Sequence, residues 1–137
     1  MSKLALMFPG QGSQAVGMGC DLCAAYPHMR DSYAEASDVL DYDLEQVCAM
    51  GPAETLARTD VTQPALLANS IGIFRILAEE GLKFDAAFGH SLGEYSALVA
   101  TGAVSFEDAL HLVRTRGREM LVEIGRASCR ERVFRAV

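Results

Sequence analysis

Nowhere in the 137 residues is there a continuous apolar run of membrane-spanning length, although half of the chain is hydrophobic. The start offers only Leu4-Ala5-Leu6-Met7-Phe8 before Pro9-Gly10 interrupts it, far short of the roughly 20 residues a spanning helix needs. We therefore expect a soluble, cytoplasmic protein with no membrane partner. Basic charge is scarce as well: twelve Lys and Arg against eighteen Asp and Glu give a net charge of −6, which leaves no electrostatic footprint for nucleic acid. Cysteine is too sparse for a disulfide framework, and four thiols, Cys20, Cys23, Cys48 and Cys129, suit a reduced compartment.

Two motif-like features lack the partners that would give them chemistry. Cys20 and Cys23 have CxxC spacing, but Cys48 has no companion at ligand spacing, so no metal site is expected. The motif also follows a glycine-rich loop rather than a strand, which argues against a thioredoxin-like site. Small apolar residues on a packed helix explain it better. The loop Pro9-Gly10-Gln11-Gly12-Ser13 is glycine-rich but lacks the Gly-Lys-Ser/Thr ending that holds a phosphate. No nucleotide and no other cofactor is expected.

The length suits one compact domain. Lys3 to Phe8 reads as a short buried strand, and residues 26–49 as mostly helical, with a break at Asp41-Tyr42-Asp43 and Gly51-Pro52 before another short helix. Val61 to Glu80 is the clearest long helix, with Thr62 as candidate cap, Pro64 in the first turn and Gly81 at the end. Its apolar residues cover most of its circumference, so burial on several sides is expected. A last helix opens at Ser105, with Asp108 completing a capping box, and Phe106, Ala109, Leu110, Val113, Gly117, Met120 and Leu121 form one stripe. Strands alternating with helices imply an α/β fold with a parallel sheet. From about Glu123 the periodicity breaks. Residues 123–137 carry four Arg against two acids, and we read them as a non-native tail on a native 1–122.

Gly89-His90-Ser91-Leu92-Gly93 has the form of a nucleophile elbow. A serine there sits at a sharp strand-to-helix turn, and the residues two positions away must be small because the two backbones pass closely. The helix N-terminus next to Ser91 offers free N–H groups to an oxyanion. Acyl transfer is the reaction this arrangement suits.

The elbow does not stand alone. Phe8-Pro9-Gly10-Gln11-Gly12-Ser13-Gln14, Thr62-Gln63-Pro64-Ala65, Gly89-His90-Ser91-Leu92-Gly93-Glu94 and Arg116-Gly117 occur in that order, and together the chain from Met1 to about Val122 resembles the malonyl-CoA:acyl carrier protein transacylases. The resemblance implies the first part of the larger, hydrolase-like subdomain, without the smaller ferredoxin-like one. It implies that Ser91 takes malonyl from malonyl-CoA and passes it to the phosphopantetheine thiol of an acyl carrier protein. The backbone N–H groups of Gln11 and Leu92 would form the oxyanion hole, and Arg116 would hold the free carboxylate of malonyl.

Arg116 also suits that role on chemical grounds, because it lies at the edge of the last helix's apolar stripe and a guanidinium fork matches a carboxylate. Arg114 and Arg118 read as solvated. Gln63 is expected in the same pocket, with capping of its own helix as the alternative. Serine needs a general base, and none of the three histidines is well placed. Strand alternation turns His90 away from Ser91, while His28 and His111 read as surface residues. The family's catalytic histidine lies further downstream than this chain reaches, so the chain by itself is expected to be inactive. An acyltransferase domain of a polyketide synthase shares these motifs. An esterase would explain the elbow but not Gln11, Gln63 or Arg116, and a truncated product without catalysis is the non-enzyme alternative.

Overall fold

A computed structural model describes residues 2–126, with side chains for residues 2–123. Cys129 and most of the stretch read as a tail lie outside the described residues. Glu123 to Arg126 continue the last helix without a break, contrary to the loss of periodicity there.

Among the described residues, nine elements follow in chain order: β1 (Ala5–Phe8), α1 (Cys20–Ala25), α2 (Pro27–Leu40), α3 (Leu44–Met50), α4 (Ala53–Leu56), α5 (Thr59–Glu79), β2 (Ala86–Gly89), α6 (Gly93–Ala100) and α7 (Phe106–Arg126). The two strands pair in parallel, Ala5 opposite Ala86 and Phe8 opposite Gly89. That register brings the ends of both strands, and the loops that leave them, to one edge. The α/β class with a partial parallel sheet flanked by helices agrees with the sequence reading.

The core lies between α2, α5 and α7. Met29, Tyr33, Ala36 and Leu40 of α2 meet Ala65, Leu67, Ala68 and Ile71 of α5, and Ala109, Leu110 and Val113 of α7 complete the cluster. α2 can approach closely because Gly72 carries no side chain: a Cβ there would sit 2.4 Å from the Met29 sulfur. The Arg75 guanidinium lies 4.9 Å over the Phe106 ring, while Gly117 abuts Thr59 and Asp60. α7 therefore runs antiparallel to α5. Its stripe is buried from Phe106 to Gly117 and then emerges, leaving Leu121 exposed, because α7 passes beyond the first turn of α5.

Helix α5 starts two residues earlier than its composition suggests. Arg58, not Thr62, is the N-cap, and Pro64 sits in the second turn. Thr62 is buried instead and donates its hydroxyl to the Leu56 carbonyl, a partner the preceding short helix supplies. α5 is long and apolar enough to cross a membrane by composition alone, but 67% of its apolar window is buried inside the protein. Burial on several sides holds for its first half; Ile73 and Leu77 face outward.

The CxxC pair does open a helix, α1, behind Gly19 in the left-handed region. Cys20 is exposed rather than packed, whereas Cys23 and Cys48 are buried. Burial pushes the Cys23 thiol up to about 11 and the Cys48 thiol up to about 12. Because the thiolate is the reactive form, an aromatic disulfide reagent at pH 8 is expected to label Cys20 rapidly in the native protein. Cys23 and Cys48 should react only after denaturant is added. Rapid native labelling of Cys48, read by peptide mapping, would contradict the packing around α2 and α3.

Candidate active site

The elbow is built by three backbones in near contact. A Cβ on Gly89 would lie 2.0 Å from the Gly93 carbonyl carbon, and a Cβ on Gly93 would lie 2.3 Å from the Phe8 carbonyl oxygen. Both positions require glycine, so the strand, the turn and α6 can close on one another only with this sequence. Ser91 sits between them at φ 53°, a left-handed conformation that costs a non-glycine residue about 1–2 kcal/mol. The turn is held by Gly93 N–H donating to the His90 carbonyl at 2.9 Å and Glu94 N–H donating to the Ser91 carbonyl at 3.1 Å. The strain presents the serine hydroxyl outward at the mouth of the fold.

Ser91, Arg116 and Gln63 come together although 53 residues separate the last two. Arg116 donates from Nη2 to Ser91 Oγ at 2.8 Å and from Nη1 to Gln63 Oε1 at 2.9 Å. Gln63 is fully buried, and its Nε2 donates to the Met120 sulfur at 3.1 Å. The amide is thus oriented with its oxygen toward the cation. The Arg116 guanidinium also lies 5.7 Å over the Tyr95 ring. The alternative role for Gln63, capping its helix, is excluded by its place inside α5.

The loop after β1 reaches the elbow from the other side. A Cβ on Gly10 would come within 2.4 Å of the His90 carbonyl oxygen and 3.0 Å of its Nδ1, so the Gly10–Gly12 turn lies directly on the residue before the serine. Among the described residues, no backbone acceptor engages the N–H of Gln11 or of Leu92. Two free donors next to a serine are what an oxyanion needs. His90 packs its ring against Gly10. The Ser91 hydroxyl has Arg116 as its polar partner, and a guanidinium has no lone pair to accept a proton.

Three contributors to the site carry no signal of that role in the sequence: Tyr95, Met120 and Thr59, whose Oγ1 accepts from Gln11 Nε2 at 3.0 Å. The positions of Met120 and Tyr95 are partly legible there, one on the stripe that Arg116 borders and the other four residues after the serine. Arg114 is a correction. Rather than being solvated, it donates from Nη1 to the Val39 carbonyl at 2.9 Å and lies 3.8 Å from Asp41, tying α7 to the end of α2. Among the described residues, no three of His, Cys, Asp and Glu converge as metal ligands.

A family profile described as an acyl transferase domain matches residues 6–128. The chain belongs to this acyl transferase family. Within it, the chain is 52% identical over 122 residues to the malonyl CoA-acyl carrier protein transacylase of Haemophilus influenzae and 50% identical over 121 residues to that of Escherichia coli. These alignments cover 88% of this chain and 39% of each relative. The acyl carrier protein S-malonyltransferase of Vibrio cholerae superposes with a TM-score of 0.84 at 52% identity, covering 87% of this chain and 39% of that one. A malonyl-transacylase solved in complex with a type II polyketide synthase acyl-carrier protein matches with the same TM-score at 51% identity and the same coverage. The chain thus spans about two fifths of the acyl transferases it matches.

Gly117 sets the distance between the two helices of the site. A Cβ there would lie 2.7 Å from the Thr59 carbonyl oxygen and 2.8 Å from Asp60 Cα. Glycine to alanine inside a helix ordinarily stabilises by about 1 kcal/mol. For Gly117→Ala in the full-length protein the opposite sign is expected, since overpacking against backbone costs about 1–3 kcal/mol. Thermal unfolding should show a lowered Tm; a raised Tm would contradict the close approach of α7 to α5.

Proposed function

We propose that this chain carries the nucleophile, the oxyanion hole and the carboxylate clamp of an enzyme that moves malonyl from malonyl-CoA to the phosphopantetheine thiol of an acyl carrier protein. The observation that carries the reading is the Arg116 guanidinium, held by buried Gln63 and already touching the serine hydroxyl. An esterase has no use for a fixed cation at that place. A malonyl group has, because its distal carboxylate must be bound while its thioester carbonyl meets the serine.

In the first half-reaction, Ser91 Oγ forms a bond to the thioester carbonyl carbon. The oxygen that gains negative charge is received by the N–H groups of Leu92 and Gln11. Collapse breaks the carbon–sulfur bond and leaves malonyl on Ser91. The coenzyme A thiolate takes up the proton that the serine has given to a general base. In the second half-reaction the carrier's thiol attacks the ester by the same route in reverse and frees Ser91. In this reading the general base is a histidine of the full-length protein. Throughout, Arg116 holds the malonyl carboxylate bidentately, a geometry that suits its planar fork. The acceptor is the carrier of a fatty acid or polyketide system, and the net charge of −6 and the sparse cysteines suit a cytoplasmic enzyme.

The full-length protein mixed with malonyl-CoA should gain one malonyl mass, mapping to the peptide that contains Ser91. Ser91→Ala should gain none, because among the described residues no other side chain occupies an elbow. A malonyl adduct that persists on the alanine variant, seen by mass spectrometry, would sink the assignment.

A further inference from the structure

Gly10 packs on His90, but the turn beyond it, which offers the Gln11 N–H, makes no hydrogen bond to the elbow among the described residues. It lies between Gly10 and Gly12, the latter at φ 108°, and both Gln11 and Gly12 are exposed. Its local hydrogen bonds, Ser13 N–H to the Gly10 carbonyl at 3.3 Å and Gly12 N–H to Gln14 Oε1 at 2.8 Å, close the turn on itself. They do not fix it relative to the elbow. An oxyanion donor is effective only when aimed to within a few tenths of an ångström of where charge develops, so a glycine-flanked turn needs an external anchor.

That anchor is on α5. Gln11 donates from Nε2 to Thr59 Oγ1 at 3.0 Å, across 48 residues of sequence. Thr59 is the first residue of α5 and is 6% exposed. Its own carbonyl lies beneath Gly117 of α7, so the first turn of the helix that carries Gln63 is pressed against the helix that carries Arg116. A threonine hydroxyl in that setting has a stiff χ1 and a rigid backbone under it.

We propose that Thr59 is a positioning residue for the reaction: its hydroxyl, by accepting from the Gln11 side chain, fixes the β1 loop so that the Gln11 backbone N–H points at the oxyanion site. The same helix turn then sets both halves of the active site. Thr59 locates the donor for the thioester oxygen, and Gln63, four residues later, orients the clamp for the distal carboxylate. The inference rests on the malonyl-transfer reading and adds to it a specific division of labour.

That division gives the test its discrimination. Every acyl group has the carbonyl oxygen that Gln11 would serve, whereas only malonyl has the carboxylate that Arg116 would hold. In the full-length protein, single-turnover acylation of Ser91 by malonyl-CoA and by acetyl-CoA should fall by a similar factor in Thr59→Val, roughly tenfold, below the 100-fold or more of losing an oxyanion donor outright. The apparent affinity for malonyl-CoA should stay near that of the parent. Thr59→Ser, which keeps the acceptor, should restore most of the rate. Gln11→Leu removes the same contact from the other side, so the double variant Gln11→Leu/Thr59→Val should be no slower than the slower single variant. Multiplying rate losses in the double variant would overturn the proposal. So would a Thr59→Val enzyme that acylates at the parent rate, a loss confined to malonyl, or a Thr59→Ser variant as slow as Thr59→Val. Loss of Ser91 labelling in Ser91→Ala is measured alongside: if the adduct does not depend on Ser91, the malonyl-transfer reading fails, and otherwise the Thr59 outcomes speak for Thr59 alone.

Discussion

The near-contact of three backbones at the elbow governs everything that the site can do. Phe8 at the end of β1, Gly89 at the end of β2 and Gly93 at the start of α6 approach so closely that a single added methyl would strike main-chain atoms at 2.0–2.3 Å. This closeness forces Ser91 into a left-handed conformation and turns its hydroxyl outward. It also leaves the N–H of Leu92 without a backbone acceptor among the described residues. A strained serine and a free donor are thus two results of one packing constraint. The parallel register of β1 and β2 then carries the following loop, with Gln11, to the same edge.

The second half of the site depends on how α7 crosses the start of α5. Gly117 lets the helices approach at Thr59 and Asp60, and the residue before it, Arg116, is thereby brought over Gln63 and Tyr95. The guanidinium is not left to find its own place: the Gln63 oxygen and the Tyr95 ring both attract a cation, and the Met120 sulfur accepts the other end of the Gln63 amide. A long, flexible side chain is costly to immobilise, by about 2 kcal/mol for arginine. Part of that cost is met before substrate arrives. The contact to Ser91 Oγ holds the cation beside the serine hydroxyl, the arrangement that the proposed malonyl transfer requires.

Much of this arrangement is legible in the residues themselves, and the reasons differ by element. The elbow is readable because its glycines answer a local steric demand. The face that Arg116 presents is readable because helical periodicity places it beside Val113 and Gly117. The start of α5 lies earlier than the sequence suggests because Thr62 and Pro64 are strong local signals for a helix start, whereas the actual start depends on α4 supplying the Leu56 carbonyl to the Thr62 hydroxyl. The tertiary partners of Arg114, Tyr95 and Thr59 are hidden for the same reason. Each contact spans a separation that no local pattern encodes, and Arg114 differs from a solvated arginine only in having the Val39 carbonyl within reach.

If Arg116 holds a carboxylate, its removal must discriminate between acyl groups that differ only in possessing one. Transfer of malonyl and of acetyl from coenzyme A to a carrier thiol, compared in full-length Arg116→Ala and the parent protein, measures this. Truncating one side of a buried charge-assisted contact costs about 2–5 kcal/mol, so the malonyl-to-acetyl ratio of kcat/KM should fall by roughly 30-fold or more. An unchanged ratio, with both acyl groups slowed alike or neither slowed, would show that Arg116 supports the serine and not the substrate.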